Sequence, residues 1–195
     1  MDNTKINDLF RYEHWLPEFD FEKESQAECY ANMFDQLESE LLYALIRKTK
    51  PLHIMELGVD KGWTSNVILK ACKKNRKGHI MSFDIEDKSS KLNCKQRTFV
   101  LGDARETTPP YIDKCDFLFI DCDHAEDFAE WYCENLLTRY RGGYIWIHDW
   151  YGFNSTRGEP IVVRNSEIFI YSLHPVINLW DFTDEQQSPS QILYK

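Results

Sequence analysis

Carboxylates recur in this chain at places where chance explains them poorly as a set: Glu56, Asp84, Asp103, Asp121 and Asp149, the last directly after His148. Each closes or follows a short apolar run. Taken singly, an Asp in such a place is an ordinary loop or helix-cap residue. Five in succession are harder to dismiss, because acids gathered at one edge repel one another unless a ligand or cation sits among them. A carboxylate accepts hydrogen bonds from hydroxyl and amine donors. His124 stands three residues after Asp121, in Asp121-Cys-Asp-His124. An imidazole titrates near neutrality and suits removal of a proton from an alcohol. The competing role is to cap the helix that starts at Ala125.

For these groups to meet, the runs that they close must lie side by side. Residues 53–56, 79–84 (HIMSFD), 97–101 (RTFVL), 116–121 (DFLFID) and 144–148 (YIWIH) read as strands. The nearly continuous apolar character of 116–121 is that of a strand covered on both faces. Between them, 64–72 reads as a helix with Val67, Ile68 and Cys72 inward, and 125–137 as one with Ala125, Phe128, Tyr132 and Leu136 on one side. Apolar residues three and four apart, Cys29, Met33, Leu37, Leu41 and Leu45, predict a long helix over 25–48 that Pro51 ends. Residues 161–173 read as a further helix, and 176–182 and 191–194 as closing strands. Strands alternating with helices predict an α/β fold, a mostly parallel sheet with helices on both faces. In such sheets ligands bind beyond the carboxyl ends of the strands. Residues 1–24, aromatic and acidic with little periodicity, read as an N-terminal arm, and 25–195 as one domain.

Composition narrows the function. The 195 residues are 43% hydrophobic and carry a net charge of -9, which disfavours nucleic acid as a substrate. The one basic run, Lys70 to Lys77, falls at an expected helix C-terminus, where the helix dipole favours it. No apolar run approaches the ~20 residues needed to span a bilayer, and the first residues are polar, so the expected setting is cytoplasmic. The six cysteines form no Cys-x-x-Cys pair and are expected to be reduced and structural.

The loop after the first strand reads Glu56-Leu-Gly58-Val-Asp60-Lys-Gly62-Trp-Thr64-Ser65. Gly58 allows a tight turn, Gly62 a close approach of a ligand to backbone, and Thr64 or Ser65 can cap the next helix. Asp60 and Trp63 stand where a dinucleotide fingerprint needs its second and third glycines, and no Gly-Lys-Ser/Thr phosphate loop occurs. A cofactor without a pyrophosphate is therefore expected.

Glu-x-Gly-x-x-x-Gly after a first strand resembles motif I of the class I S-adenosylmethionine (SAM)-dependent methyltransferases. ELGVDKGWTS, MSFDIED, VLGDA, FLFIDCDH and RGGYIWIHDW, in that order, look most like the small O-methyltransferases, the macrocin-type sugar O-methyltransferases and, more distantly, catechol O-methyltransferase. The resemblance spans roughly residues 25–195 and implies a Rossmann-like, seven-stranded, mostly parallel sheet. It places Gly58 and Gly62 along the methionine moiety with Glu56 beneath, Asp84 on the ribose hydroxyls and Asp103 near the adenine amine. Asp60 departs from the glycine that many relatives carry.

The same resemblance puts Asp121, His148 and Asp149 around a divalent cation (magnesium, manganese or calcium) beside the methyl donor, with His124 as base. Hard oxygen ligands suit magnesium or calcium. His148 replaces the usual acid, and a nitrogen ligand favours manganese or zinc over magnesium. Asp123 is either the partner that orients His124 or another metal ligand. Trp150, Tyr151 and Phe153 either wall an acceptor pocket or pack the loop. The implied activity is methyl transfer to a hydroxyl of a small polar acceptor. The alternatives are a degenerate SAM-binding module and a cephalosporin-hydroxylase-like protein without methyl transfer. A homo-oligomer stays open.

Overall fold

Five short apolar runs become parallel strands in the computed structural model, which describes residues 36–148, 176–178 and 191–194. They are β1 (His53–Leu57), β2 (His79–Asp84), β3 (Arg97–Leu101), β4 (Phe117–Ile120) and β5 (Tyr144–Ile147). Two further strands, β6 (Val176–Asn178) and β7 (Gln191–Tyr194), pair antiparallel at the β5 edge, for the order β3-β2-β1-β4-β5-β7-β6. The arm, residues 25–35 of the first expected helix, the helix expected over 161–173, Asp149 and the aromatics after it lie outside the described residues.

The helices are α1 (Gln36–Thr49), α2 (Trp63–Asn75), the single turn α3 (Ala104–Thr107) and α4 (Glu126–Tyr132), which runs on into a π-helical turn over Cys133–Leu137. Alternation along the strands divides the core into two half-cores. Ile54, Phe117 and Phe119 face α1 and α2, packing with Leu42, Ile46, Val67 and Ile68. Met55, Leu57, Leu118 and Ile120 face α4 and its extension, packing with Phe128, Tyr132 and Leu136. Both faces of the parallel strands are thus covered, as the unbroken apolar sequence of β4 requires. Every residue from Leu41 to Ile46 is buried, so α1 is covered on more than the one stripe that its periodicity suggests.

α1 is fastened to α2 at both ends. Trp63 Nε1 donates to Ser39 Oγ at 2.9 Å. Asn75 Nδ2 donates to the Ile46 carbonyl at 2.9 Å, and Arg47 donates to Asn75 Oδ1. Lys73 and Lys74 occupy the last turn of α2, where the basic run was expected to complement the dipole.

β1 has β2 on one side and β4 on the other. The chain runs outward from β1 to β3, then crosses back to β4 and β5. The strand order reverses between β1 and β4, and crevices at such reversals are where open α/β sheets bind ligands. Because β1 to β5 are all parallel, their carboxyl ends share one edge. Asp103, Asp84, Glu56, Asp121 and His148 therefore stand in spatial order along it.

Candidate functional site

Each acid on that edge does something different. Glu56, the penultimate residue of β1, points to the α2 side and is fully buried. Its Oε2 accepts hydrogen bonds from Ser65 Oγ at 2.5 Å and Ser82 Oγ at 2.6 Å, while Oε1 has no partner among the described residues. Burial pushes its pKa up to about 7 against those two hydrogen bonds and the nearby Arg97. Arg97, itself buried, donates to Ser82 Oγ and to the carbonyl and hydroxyl of Ser89. This network ties β1, β2, β3 and the turn around Ser89 together beneath the first loop.

Asp84 shapes that loop from the other side. Its Oδ2 accepts from the backbone N–H groups of Val59 (2.8 Å) and Asp60 (3.0 Å), and its Oδ1 from that of Glu86 (3.1 Å). Three of the roughly four acceptor positions of a carboxylate are therefore taken by backbone. Asp103 is the N-cap of α3, where its Oδ1 accepts from the Arg105 N–H. Beside these acids, two apolar side chains are left uncovered at the ends of β2 and β3, Ile85 at 73% exposure and Leu101 at 63%.

Both loop glycines have positive φ, +86° at Gly58 and +88° at Gly62. Protein occupies the space where each would carry a side chain. A Cβ on Gly58 would lie 1.8 Å from the Asp121 carbonyl oxygen, and one on Gly62 would lie 2.5 Å from Leu92 Cδ1. Gly62 is also the N-cap of α2, with no side-chain cap bond. The expected cap at Thr64 or Ser65 is not formed, because Ser65 lies inside the helix and its hydroxyl is committed to Glu56.

Asp121 follows β4 at the point where the strand order reverses. Its Oδ1 lies 3.0 Å from His148 Nδ1 and 3.7 Å from His124 Nε2. Its side chain remains 30% exposed. Burial works against its charge, but His148 and His124 outweigh burial and hold the carboxyl far below the usual carboxylate range. His148 sits between two acids: its Nε2 lies 3.1 Å from Glu38 Oε2, on α1. Burial opposes a charge on this ring, yet the Asp121 and Glu38 carboxylates prevail and raise its pKa well above that of a free histidine. His124 does not cap α4. The N-cap Ala125 makes no side-chain cap bond, and the Ala125 N–H is taken by Asp123 Oδ1 at 2.9 Å. The acid beside His124 is thus Asp121, with Asp123 closing its own turn.

The cation expected at Asp121, His148 and Asp149 finds a poor donor at His148. A histidine ligates through a ring-nitrogen lone pair. Here both ring nitrogens face carboxylates at hydrogen-bond distance, and a nitrogen that donates to an acid has no lone pair to give. The expected ligand role of His148 does not fit this geometry. Among the described residues, no group of three or more His, Cys, Asp or Glu side chains is arranged to hold a metal.

Residues 55–150, from β1 past the end of β5, match a family model described as a methyltransferase domain. Over these residues the chain is similar to a methyltransferase domain, and its sheet has the Rossmann-like fold of the class I methyltransferases. Solved structures share the fold over nearly the whole chain. The O-methyltransferase TomG from Streptomyces achromogenes, in complex with SAM, is 17% identical, with 100% of this chain and 98% of that one covered and a TM-score of 0.63. An O-methyltransferase from Bacillus cereus in complex with S-adenosylhomocysteine (SAH) is 15% identical, with 92% and 90% covered and a TM-score of 0.60. The SAH-bound methyltransferase PaMTH1 from Podospora anserina is 11% identical, with 96% and 87% covered and a TM-score of 0.57. No curated protein matches the sequence. Among the described residues, no helix is long and apolar enough to cross a membrane.

Two site residues escaped the sequence reading, Glu38 and Arg97. Glu38 carried a signal. It falls in register with Leu41, Leu42 and Leu45, on the buried stripe of α1, where a lone acid needs a partner. Arg97 opens an apolar strand and carried a similar one.

Proposed function

We propose that the protein transfers a methyl group from SAM to a hydroxyl of a small polar acceptor, with His124 as the base and Asp121 beside it. The observation that carries this reading is the placement of the Asp121–His124 pair where the strand order reverses, directly against the Gly58 turn. The edge also suits an adenosine. Ile85 and Leu101 offer uncovered apolar surface for a base, and Asp84 and Asp103 stand next to them with acceptor capacity to spare for hydroxyl or amine donors. Gly58 and Gly62 shape the backbone along which the methionine part would lie, and Glu56 supports them from below.

SAM, when bound, supplies a methyl on a sulfonium centre that leaves as the neutral thioether of SAH. The chain's own task is to place the acceptor oxygen in line with that methyl and to take up its proton, because positioning supplies much of the rate in such a displacement. As the new O–CH3 bond forms and the old S–CH3 bond breaks, the hydroxyl proton passes to His124. Asp121 stabilises the imidazolium that results. Their 3.7 Å separation is ion-pair range, and such contacts commonly tighten once substrate binds. No step is assigned to a cation.

Titration calorimetry with SAH and SAM tests the reading. Micromolar binding is expected, and the absence of heat for both would defeat it. Asp84→Ala is expected to lose at least tenfold in SAH affinity, since it frees the Val59 and Asp60 amides that order the loop. Asp121→Asn is expected to bind SAH as the parent does and to form no methylated product from an acceptor panel; full turnover would remove Asp121 from the chemistry. A SAM-binding module without turnover is the second reading, favoured by the commitment of His148 to two acids, and SAH production by the parent protein with any acceptor dismisses it.

A further inference from the structure

At the buried end of the site, a histidine spans two acids, Glu38 and Asp121, drawn from distant parts of the chain. Glu38 and His148 are 110 residues apart in sequence and meet with side-chain exposures of only 4% and 5%. An unpaired charge at that depth is strongly disfavoured, so the pairing holds the three side chains as a unit. α1 cannot drift from β5 without breaking it, and α1 is itself fastened to α2 through Ser39 and Trp63. Asp121 Oδ1 is held by His148 at 3.0 Å and flanked by His124 at 3.7 Å.

We propose that Glu38 and His148 are positioning residues that fix Asp121 from beneath, in the place where the resemblance implies a divalent cation, so that the site is built without a metal bound at His148. A divalent cation at such a place would neutralise Asp121 and orient it. A histidine that donates to both acids also orients Asp121, leaves the trio with net negative charge to stabilise a protonated His124, and cannot exchange with solvent as an ion can. What it does not supply is an open coordination position for the acceptor oxygen. Deprotonation of the acceptor is then left to His124, with Asp121 held still beside it. This rests on the methyl-transfer reading for its meaning, but its test does not.

Nitrogen-15 histidine NMR on the full chain, with and without SAH, reads the ring directly. For His148, assigned by its loss in His148→Asn, both ring nitrogens are expected in the protonated range, with two bonded N–H protons. Both signals should stay in place on addition of magnesium, manganese or zinc, apart from nonspecific paramagnetic broadening. Glu38→Gln is expected to shift the Nε2 signal and, through the ring, the Nδ1 signal facing Asp121, while the protein still binds SAH. Calorimetric titration of the parent with each of the three cations is expected to show no stoichiometric site. A deprotonated His148 nitrogen that moves on addition of zinc or magnesium, or one equivalent of bound cation that Glu38→Gln or His148→Asn abolishes, overturns the proposal. SAH binding separates the two ideas: its failure in the parent defeats the methyltransferase reading and leaves the ring assignment standing.

Discussion

Replacing Gly58 by alanine puts one methyl group into the tightest place on the sheet edge. The new Cβ would lie 1.8 Å from the Asp121 carbonyl oxygen and 2.5 Å from its carbonyl carbon. Both are backbone atoms of the β4 end, so no side-chain rotation relieves the contact. Ordinary contact begins near 3.4 Å, so the ends of β1 and β4 would have to part by about 1.6 Å. Crowding of that kind in packed structure costs about 1–3 kcal/mol. Residue 58 also sits at φ +86°, and an L-residue in the left-handed region costs about 1–2 kcal/mol more. The sum, roughly 2–5 kcal/mol, is a large part of the 5–15 kcal/mol that holds a typical domain folded. At about 2–4 °C per kcal/mol for a chain of this size, Tm should fall by roughly 4–20 °C. Gly143→Ala is the matched control: nothing lies within 4 Å of its added Cβ and its φ is not positive, so the change should stay within about 0.5 kcal/mol. Thermal and urea unfolding followed by circular dichroism compare the two. If Gly58→Ala unfolds within 1 °C of the parent, the close approach of the loop to Asp121 is not a feature of the folded protein. SAH affinity should fall with it, because the same displacement opens the crevice between β1 and β4.

Other consequences follow from burial. Glu56 has a folded pKa raised from 4.5 to about 7, so the folded state keeps a proton that the unfolded chain gives up. Its contribution is fully present below about pH 4.5 and is lost as pH rises to about 7, on the order of 3 kcal/mol over that window. Glu56→Gln should flatten this decline in urea-unfolding free energy and be the more stable protein at pH 8; an unchanged slope would show that Glu56 is ionised throughout. Burial also pushes the Cys72 and Cys115 thiols up to about 12, whereas Cys94 is exposed. Among the described cysteines, Cys94 should therefore be alkylated first at pH 8 in the native protein, and peptide mapping that finds Cys72 or Cys115 labelled ahead of it would contradict their burial.

Much of the architecture was legible because it depends on pattern. The boundaries of β2, β3 and β7 agree with the runs read from sequence, and β1, β4 and β5 differ by a residue or two at their ends, the usual uncertainty where an element frays. The short α3 turn went unread, since four residues carry no periodicity. The π-helical continuation of α4 was hidden inside an ordinary helical pattern, because the buried Phe128, Tyr132 and Leu136 recur every four residues, a spacing that an α-helix also gives.

Roles were harder to read than places. That acids would line one edge followed from parallel strands alone. What each acid does was decided by neighbours that no local pattern names. Ser65 and Ser82 turned Glu56 inward as a support, and the loop amides claimed Asp84. Asp103 proved to be the cap that a solitary Asp so often is. His148 shows the division most plainly. Its type and its position after β5 allow a metal ligand, a base or a buried bridge with equal ease. The choice depends on whether a ring nitrogen keeps its lone pair, and that is set by Asp121, 27 residues before it, and by Glu38, 110 residues before it. By itself the sequence determined the sheet, the edge and the residues that stand on it. Only the packing of α1 against the ends of β4 and β5 decided that His148 faces Asp121 and Glu38.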